Sequence, residues 1–272
     1  MFDPKTTKYP YTEYTDGHYI KITKDNGLVF DRNYPYIDKS KGFKFKAFWF
    51  RLFYRLIILP VSNIRLGLRV KGRKNLRKHK AAIKGGIISC CNHVHYWDFL
   101  GISYGIRPYK PKFLAWAQNI RGGLSKPMRL AGGIPIPDNL SGQVAYSKAI
   151  RDYLNSGGWL HIYAEGSMWE YYKPIRPFKR GTASYAIKYD KPILPMSYTY
   201  RRPGFIRRVI FRQIALFTLN IGTPIYRNKE LNIDDQENDL TIRAHEAVCK
   251  LANIENNIYE PIFNDSKKIN YY

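Results

Sequence analysis

The feature that most constrains this chain is the run Ile87-Ile88-Ser89-Cys90-Cys91, which gives way at once to Asn92-His93-Val94-His95-Tyr96-Trp97-Asp98. A short apolar run bounded by polar residues predicts a buried strand that delivers His93 to a loop. Asp98 then falls at or near the start of the next helix. Within a regular helix, five residues turn two side chains about 140° apart, so His93 and Asp98 can meet only across a helix entrance. There a carboxylate that holds one imidazole nitrogen leaves the other free to take a proton from a hydroxyl. Similar short apolar runs at 111–117, 159–163 and 192–200 alternate with helix-like stretches, so the chain reads as an α/β protein built on a central sheet flanked by helices.

Two other readings of the same residues stand beside general-base chemistry. His93 and His95 alternate on an extended segment and could share a metal with Asp98. The spacing departs from the His-x-His-x-Asp-His arrangement of binuclear hydrolases, which favours no metal at this site. A purely structural pair is the other.

Net charge decides the class of partner. Forty-five Lys and Arg against 21 Asp and Glu leave +24, which calls for a polyanion, either nucleic acid or an anionic membrane surface. Fifteen per cent aromatic residues, among them 23 Tyr, suit base stacking or a bilayer headgroup region. Three cysteines, two of them adjacent, cannot supply a disulfide framework and point to a reducing compartment. The first residues lack a signal-peptide pattern, and no run of about 18 uncharged apolar residues is present to span a bilayer. Membrane contact is therefore expected to be peripheral.

Residues 1–42 read as polar loops punctuated by Pro and Gly, with a short strand at 19–23. Residues 43–59 read as an amphipathic helix stopped by Pro60. Lys44, Arg51 and Arg55 fall on one narrow stripe, while Phe, Trp, Leu and Ile cover the remainder. Crowding of Trp49, Phe50, Phe53 and Tyr54 beside cations suits an interfacial anchor. The alternative is a helix packed on the protein's own core with its cations reaching outward. Nine cations between 65 and 84 surround a strand expected at 66–71, and each would add about 1 kcal/mol near an anionic leaflet. The domain division expected is 1–64, a polar segment plus docking helix, and 65–272, the α/β domain.

Further along, helices are expected at 99–104, 125–130, 141–155 and 178–189, with Gly157 after the third in a C-terminal capping position. Gly132-Gly133 precedes an extended edge at 134–137. One or two strands are expected within 205–221. A last helix runs from Asp234-Asp235 to about 252, with Ile242, Val248 and Leu251 buried. The strand at 159–163 ends in Ala164-Glu165-Gly166-Ser167, polar groups at a strand exit, where ligands gather in α/β sheets. Lys179 and Arg180 stand at a helix entrance whose unpaired N–H groups favour a phosphate.

Four of these stretches, in order, resemble the motif blocks of the glycerolipid acyltransferase family, which includes the lysophosphatidic acid acyltransferases. Asn92, His93 and Asp98 match the first block, Asn-His-x-x-x-x-Asp. Gly132-Gly133-Ile134-Pro135-Ile136-Pro137 stands at the second. Tyr163-Ala164-Glu165-Gly166-Ser167 stands at the third, whose usual form is Phe-Pro-Glu-Gly-Thr-Arg, and Lys191-Pro192-Ile193-Leu194-Pro195-Met196 at the fourth. The resemblance spans 68–226. It implies a mixed sheet flanked by helices and transfer of an acyl group from acyl-CoA or acyl carrier protein to a lysophospholipid, with no other cofactor. It further implies His93 and Asp98 as catalytic residues and Asn92, Glu165, Gly166 and Ser167 as substrate-binding residues, to which the helix-entrance cations Lys179 and Arg180 are added. With the reducing compartment read from the cysteines and the docking helix, residence on the cytoplasmic face of a membrane is expected. Pro137-Asp138 and Met168 stand where the second and third blocks carry Arg. Two expected phosphate ligands are thus missing, and Arg176, Lys179 and Arg180 are candidates to replace them.

The contrasting class is a non-enzymatic basic module. Against nucleic acid as partner, the chain carries no RNP, KH or zinc-finger pattern, and its cations cluster beside an apolar helix.

Overall fold

The fold, taken from a computed structural model that describes residues 25–254, rests on a seven-stranded mixed sheet. In chain order the strands are β1 (Arg69–Lys71), β2 (Ile87–Cys91), β3 (Pro111–Ala115), β4 (Gly133–Pro135), β5 (Trp159–Tyr163), β6 (Ile193–Arg201) and β7 (Leu216–Ile221). Their spatial order is β1-β7-β6-β2-β5-β3-β4. Only the β6–β7 pair is antiparallel. The strand expected at 19–23 lies outside the described residues.

Among the described residues eleven helices surround this sheet: α1 (Lys41–Phe53), α2 (Leu59–Leu66), α3 (Arg73–Lys78), α4 (Lys80–Lys84), α5 (Asp98–Gly105), α6 (Ala117–Arg121), α7 (Ser125–Ala131), α8 (Leu140–Asn155), α9 (Gly181–Tyr189), α10 (Phe205–Val209) and α11 (Ile233–Leu251). Pleating splits the core in two. On one face Ile88, Cys90, Leu160 and Ile193 meet Ile150, Leu154, Ala183, Leu240, Ala244 and Val248 from α8, α9 and α11. On the other, Ile87, Cys91, Trp159, Leu194 and Phe217 meet Leu66, Leu76, Ile83 and Ile102 from α2 to α5.

Several boundaries fall where the sequence placed them. β5 has the expected bounds, and α8 is closed by Ser156 and by Gly157 at φ 81°, the left-handed conformation that favours glycine. Others differ for physical reasons. The N-terminal helix does not stop at Pro60. After α1 a π-helical turn, Tyr54–Ile58, carries the chain directly into α2, where Pro60 occupies a first-turn position. There its missing N–H costs little. The joined helix, Lys41–Leu66, is 26 residues long and apolar enough to cross a membrane by length and composition, although Arg51 and Arg55 interrupt it, so that the longest uncharged run in it is 56–64. β1 is correspondingly shorter than the strand expected at 66–71. Within 205–221, only β7 is a strand, and α10 is a short exposed helix. In α11, Ile242 is exposed and the buried line is Leu240, Ala244 and Val248, four residues apart. Finally, the loop segment before α1 is partly core: Phe30 and Tyr36 are buried, and Tyr36 donates to the Phe30 carbonyl at 2.6 Å.

Candidate active site

β2 and β5 run parallel with Cys91 opposite Tyr163. Two residues past each strand end, the two exit loops therefore lie side by side, and the His93 backbone N–H donates to the Glu165 carboxylate at 3.0 Å. Past that point the first loop turns into α5, whose first residue is Asp98. A carboxylate in the first turn of a helix is favoured by the helix dipole.

His93 Nδ1 lies 2.7 Å from Asp98 Oδ2, so the helix-entrance geometry expected from the spacing is present. The same oxygen accepts the backbone N–H of Val94 at 3.0 Å and of His95 at 3.3 Å. Asp98 Oδ1 accepts the Tyr163 hydroxyl at 2.5 Å. Burial by itself would raise the fully buried Asp98 carboxyl. The His93 ring, the Tyr163 hydroxyl and the Val94 N–H outweigh it and hold its pKa below the ordinary value. The His93 side chain is 23% exposed, and among the described residues its Nε2 has no hydrogen-bond partner. A neutral imidazole with Nδ1–H committed to Asp98 presents Nε2 as a base.

Tyr163 was not singled out in the sequence, although it occupies the position where the family's third block has Phe. Its ring stacks on His93 with centroids 3.8 Å apart and planes 14° from parallel, while its hydroxyl reaches past the imidazole to Asp98. Burial pushes the Tyr163 hydroxyl well above its ordinary pKa, so it remains a donor. Tyr198 supports α5 from below: its hydroxyl donates to the Asp98 carbonyl. A Cβ at Gly101 would lie 2.2 Å from that hydroxyl, so this approach requires glycine.

His95, the second imidazole of the metal reading, faces elsewhere. Its Nδ1 accepts the Trp97 N–H at 3.1 Å, and its Nε2 lies 3.5 Å from Glu170. Burial lowers the His95 pKa to about 4 and raises that of Glu170 to about 7. Among the described residues no group of three or more His, Cys, Asp or Glu is arranged to hold a metal.

Asn92 is buried and clamps the loop to β6, accepting the Tyr198 N–H at 2.8 Å and donating to the Tyr198 carbonyl at 3.0 Å. Glu165 is also buried. Besides the His93 N–H, its carboxylate accepts the Arg176 backbone N–H at 2.9 Å and the Arg176 guanidinium at 3.0 Å. Arg176 is fully buried, donates to the Ser167 hydroxyl and carbonyl, and lies over the Trp169 ring. These contacts remove Arg176 from the candidate phosphate ligands and make Glu165 and Ser167 parts of a buried ionic knot beneath the His93 loop. The Gly166 N–H donates to the Tyr163 carbonyl at 3.0 Å, so it is committed to the turn. Lys179 and Arg180 are exposed at the entrance to α9, and a Cβ at Gly166 would collide with the Lys179 side chain at 2.7 Å. Lys179 thus lies directly over the turn that follows β5.

A histidine held by a buried aspartate at the strand exits of an α/β sheet, with its other ring nitrogen open, is an arrangement suited to activating a hydroxyl. Residues 67–199 match the family described as Acyltransferase, and the first to fourth motif blocks lie in order within that match. An acyltransferase is the class that this match supports. Among solved structures, the crystal structure of the 1-acyl-sn-glycerophosphate (LPA) acyltransferase PlsC from Thermotoga maritima is similar at 18% identity, with a TM-score of 0.46 over 77% of this chain and 83% of that one. No curated protein matches the chain.

Proposed function

We propose that this protein moves a fatty acyl group from a thioester, on coenzyme A or acyl carrier protein, to the free hydroxyl of a lysophospholipid, foremost 1-acylglycerol-3-phosphate to give phosphatidic acid. The observation that carries the reading is the 2.7 Å contact between His93 Nδ1 and the buried Asp98 carboxylate, which leaves Nε2 open on a partly exposed ring. Nε2 takes the acceptor's hydroxyl proton as that oxygen attacks the thioester carbonyl. Asp98 stabilises the imidazolium. When the tetrahedral species collapses, the C–S bond breaks and the thiolate leaves with the proton returned from Nε2. The products are an ester and a free thiol, with no covalent enzyme intermediate and no cofactor beyond the donor. Lys179 and Arg180 are the cations placed to meet the acceptor phosphate.

The Lys41–Leu66 helix is read as docking the enzyme peripherally on the anionic cytoplasmic leaflet. Phe45, Trp49, Phe53, Leu56 and Ile64 form an exposed apolar stripe, while Ala47, Leu59, Ser62 and Leu66 are buried against the domain. A helix fixed along its length to the domain would have to leave it to cross a bilayer. Lying in the interface keeps those contacts.

The test is thiol release by the purified protein with acyl-CoA and acyl carrier protein donors and lysophospholipids of different headgroups. Release is expected only with both substrates present, fastest with lysophosphatidate, and Lys179→Glu with Arg180→Glu should raise the acceptor's KM more than the donor's. Absence of thiol release with every acceptor overturns the reading. Release with another headgroup preferred overturns the acceptor assignment alone.

A further inference from the structure

The net charge is concentrated in two stretches of sequence. Residues 39–97 and 191–229 together contain 23 of the 45 Lys and Arg and none of the 21 Asp and Glu, so the remainder of the chain is close to neutral. The first supplies α1 to α4, β1 and β2, the second supplies β6, α10 and β7, and β1-β7-β6-β2 are contiguous at one end of the sheet. The N-terminal helix reaches this end through α2, while α1 packs on α7 beside β4.

At that end the apolar stripe of the N-terminal helix does not finish with the helix. Phe205, Ile206, Val209, Ile210 and Phe211 are all more than half exposed, Phe205 at 71% and Ile210 at 68%. Phe205, Ile206 and Phe211 line a cleft of about 780 Å³ together with Val61 and Ile64, themselves exposed. α10 is fastened there by polar contacts on its inner side. The Arg207 guanidinium donates to the Ile64 carbonyl at 3.0 Å and to Gln213 at 3.1 Å, and Gln213 donates to the Arg65 carbonyl. Arg208 and Arg212 lie exposed among the apolar side chains. An exposed apolar cluster of this kind marks an interaction surface, and its interleaved arginines, with no acidic residue in either stretch, complement an anionic lipid surface and oppose a second copy of the same cationic face.

We infer that α10 with Ile210 and Phe211 is a second membrane-inserting element, which together with the outer stripe of the Lys41–Leu66 helix makes one two-point docking face for anionic bilayers. The inference rests on the docking role read above for the N-terminal helix and extends it. One helix alone fixes depth but leaves the domain free to roll about its axis. A second contact beyond the helix end fixes that rotation and so holds the active site in one orientation to the bilayer.

The full chain is tested on vesicles of equal parts phosphatidylcholine and phosphatidylglycerol, against vesicles of phosphatidylcholine alone. Ile206→Ser with Ile210→Ser should lower partitioning to the anionic vesicles by about tenfold or more, each substitution removing the insertion of a large aliphatic side chain. Thermal unfolding and thiol release with a short-chain, water-soluble acceptor should not change. Because Cys90, Cys91 and Cys249 are buried, Ile210→Cys offers a single site for an environment-sensitive dye. Its emission should shift to the blue on anionic vesicles, which settles insertion even if the double variant folds poorly. Wild-type partitioning by the double variant, with release by Trp49→Ser and Phe53→Ser, overturns the second contact and leaves the helix reading standing. Failure of the wild-type chain to bind anionic vesicles overturns both. A blue shift that needs protein concentration rather than vesicles assigns the face to a homodimer and overturns the inference.

Discussion

Asp98 and Glu165 are both buried carboxylates at neighbouring strand exits, and both hold the His93 loop, yet their partners differ in kind. Glu165 is neutralised by the buried Arg176 guanidinium and touches only the backbone N–H of His93. Among the described residues no Lys or Arg pairs with Asp98. Its charge is met by the His93 ring, two backbone amides and one tyrosine hydroxyl. A carboxylate balanced by a permanent cation serves architecture, because its charge never changes. One balanced by an imidazole and neutral donors has unsatisfied attraction for a proton arriving on that imidazole, and this suits it to the reaction.

The widest separation between the two roles should come from His93→Ala. Loss of a general base typically lowers the rate by about 10²- to 10⁴-fold, and the fall should appear in kcat with thermal unfolding unchanged, since only a partly exposed loop side chain is removed. Full activity in that variant would leave the Asp98 side of the comparison without a function.

Next in size, Arg176→Met should break the architectural side. Leaving the Glu165 charge buried and unpaired costs about 3–5 kcal/mol, read as a lowered denaturation midpoint together with lost activity. Adding Glu165→Gln to it should restore part of the stability, whereas pairing Glu165→Gln with His93→Ala should show no such recovery.

Asp98→Asn should have a smaller effect than either. An amide can keep its oxygen toward the three donors on the loop and turn its NH₂ to the Tyr163 oxygen, so the fold is retained while the charge that stabilises imidazolium is gone. Activity should drop less than in His93→Ala, and chelators should have no effect on the wild type. Activity lost to a chelator and restored by zinc would replace the general-base account with a metal site.

The smallest effect is expected from Tyr163→Phe, a few-fold in kcat with KM unchanged. Its hydroxyl stabilises the Asp98 anion and so weakens the pull of Asp98 on the imidazolium. Without it the imidazolium is held more firmly, and the acid limb of kcat/KM should move to higher pH. The other ionisable groups facing the dyad, namely His95, His161, Cys91, Tyr198 and Glu165, are unaltered in this variant. An unmoved acid limb would make the Tyr163 hydroxyl a packing feature only.

Much of the frame was legible because it depends on local pattern. The five-residue offset of His93 and Asp98, the apolar run of β5 and the glycine after α8 each express a constraint within a few residues. The N-terminal helix was legible in kind, from its period and its aromatic face, although its length was not, because whether Pro60 ends a helix depends on a π turn in the preceding residues. For α10, a short run of Phe, Ile, Val and Arg suits strand and helix equally, and the fold leaves it without a strand to pair with.

Sequence by itself determined the α/β alternation, the spacing of the His93–Asp98 pair, the resemblance to acyltransferases and the excess of positive charge, since these follow from residue types and their spacing along the chain. Only the tertiary structure decided which polar groups are exposed and which are internal. Arg176 and Glu165 look like ligands in one dimension and prove to be buried partners, because the parallel register of β2 and β5 presses the two exit loops together. The same register sets Tyr163 on His93. Contacts between residues 70 apart in sequence are fixed by strand order, and strand order is a property of the whole sheet.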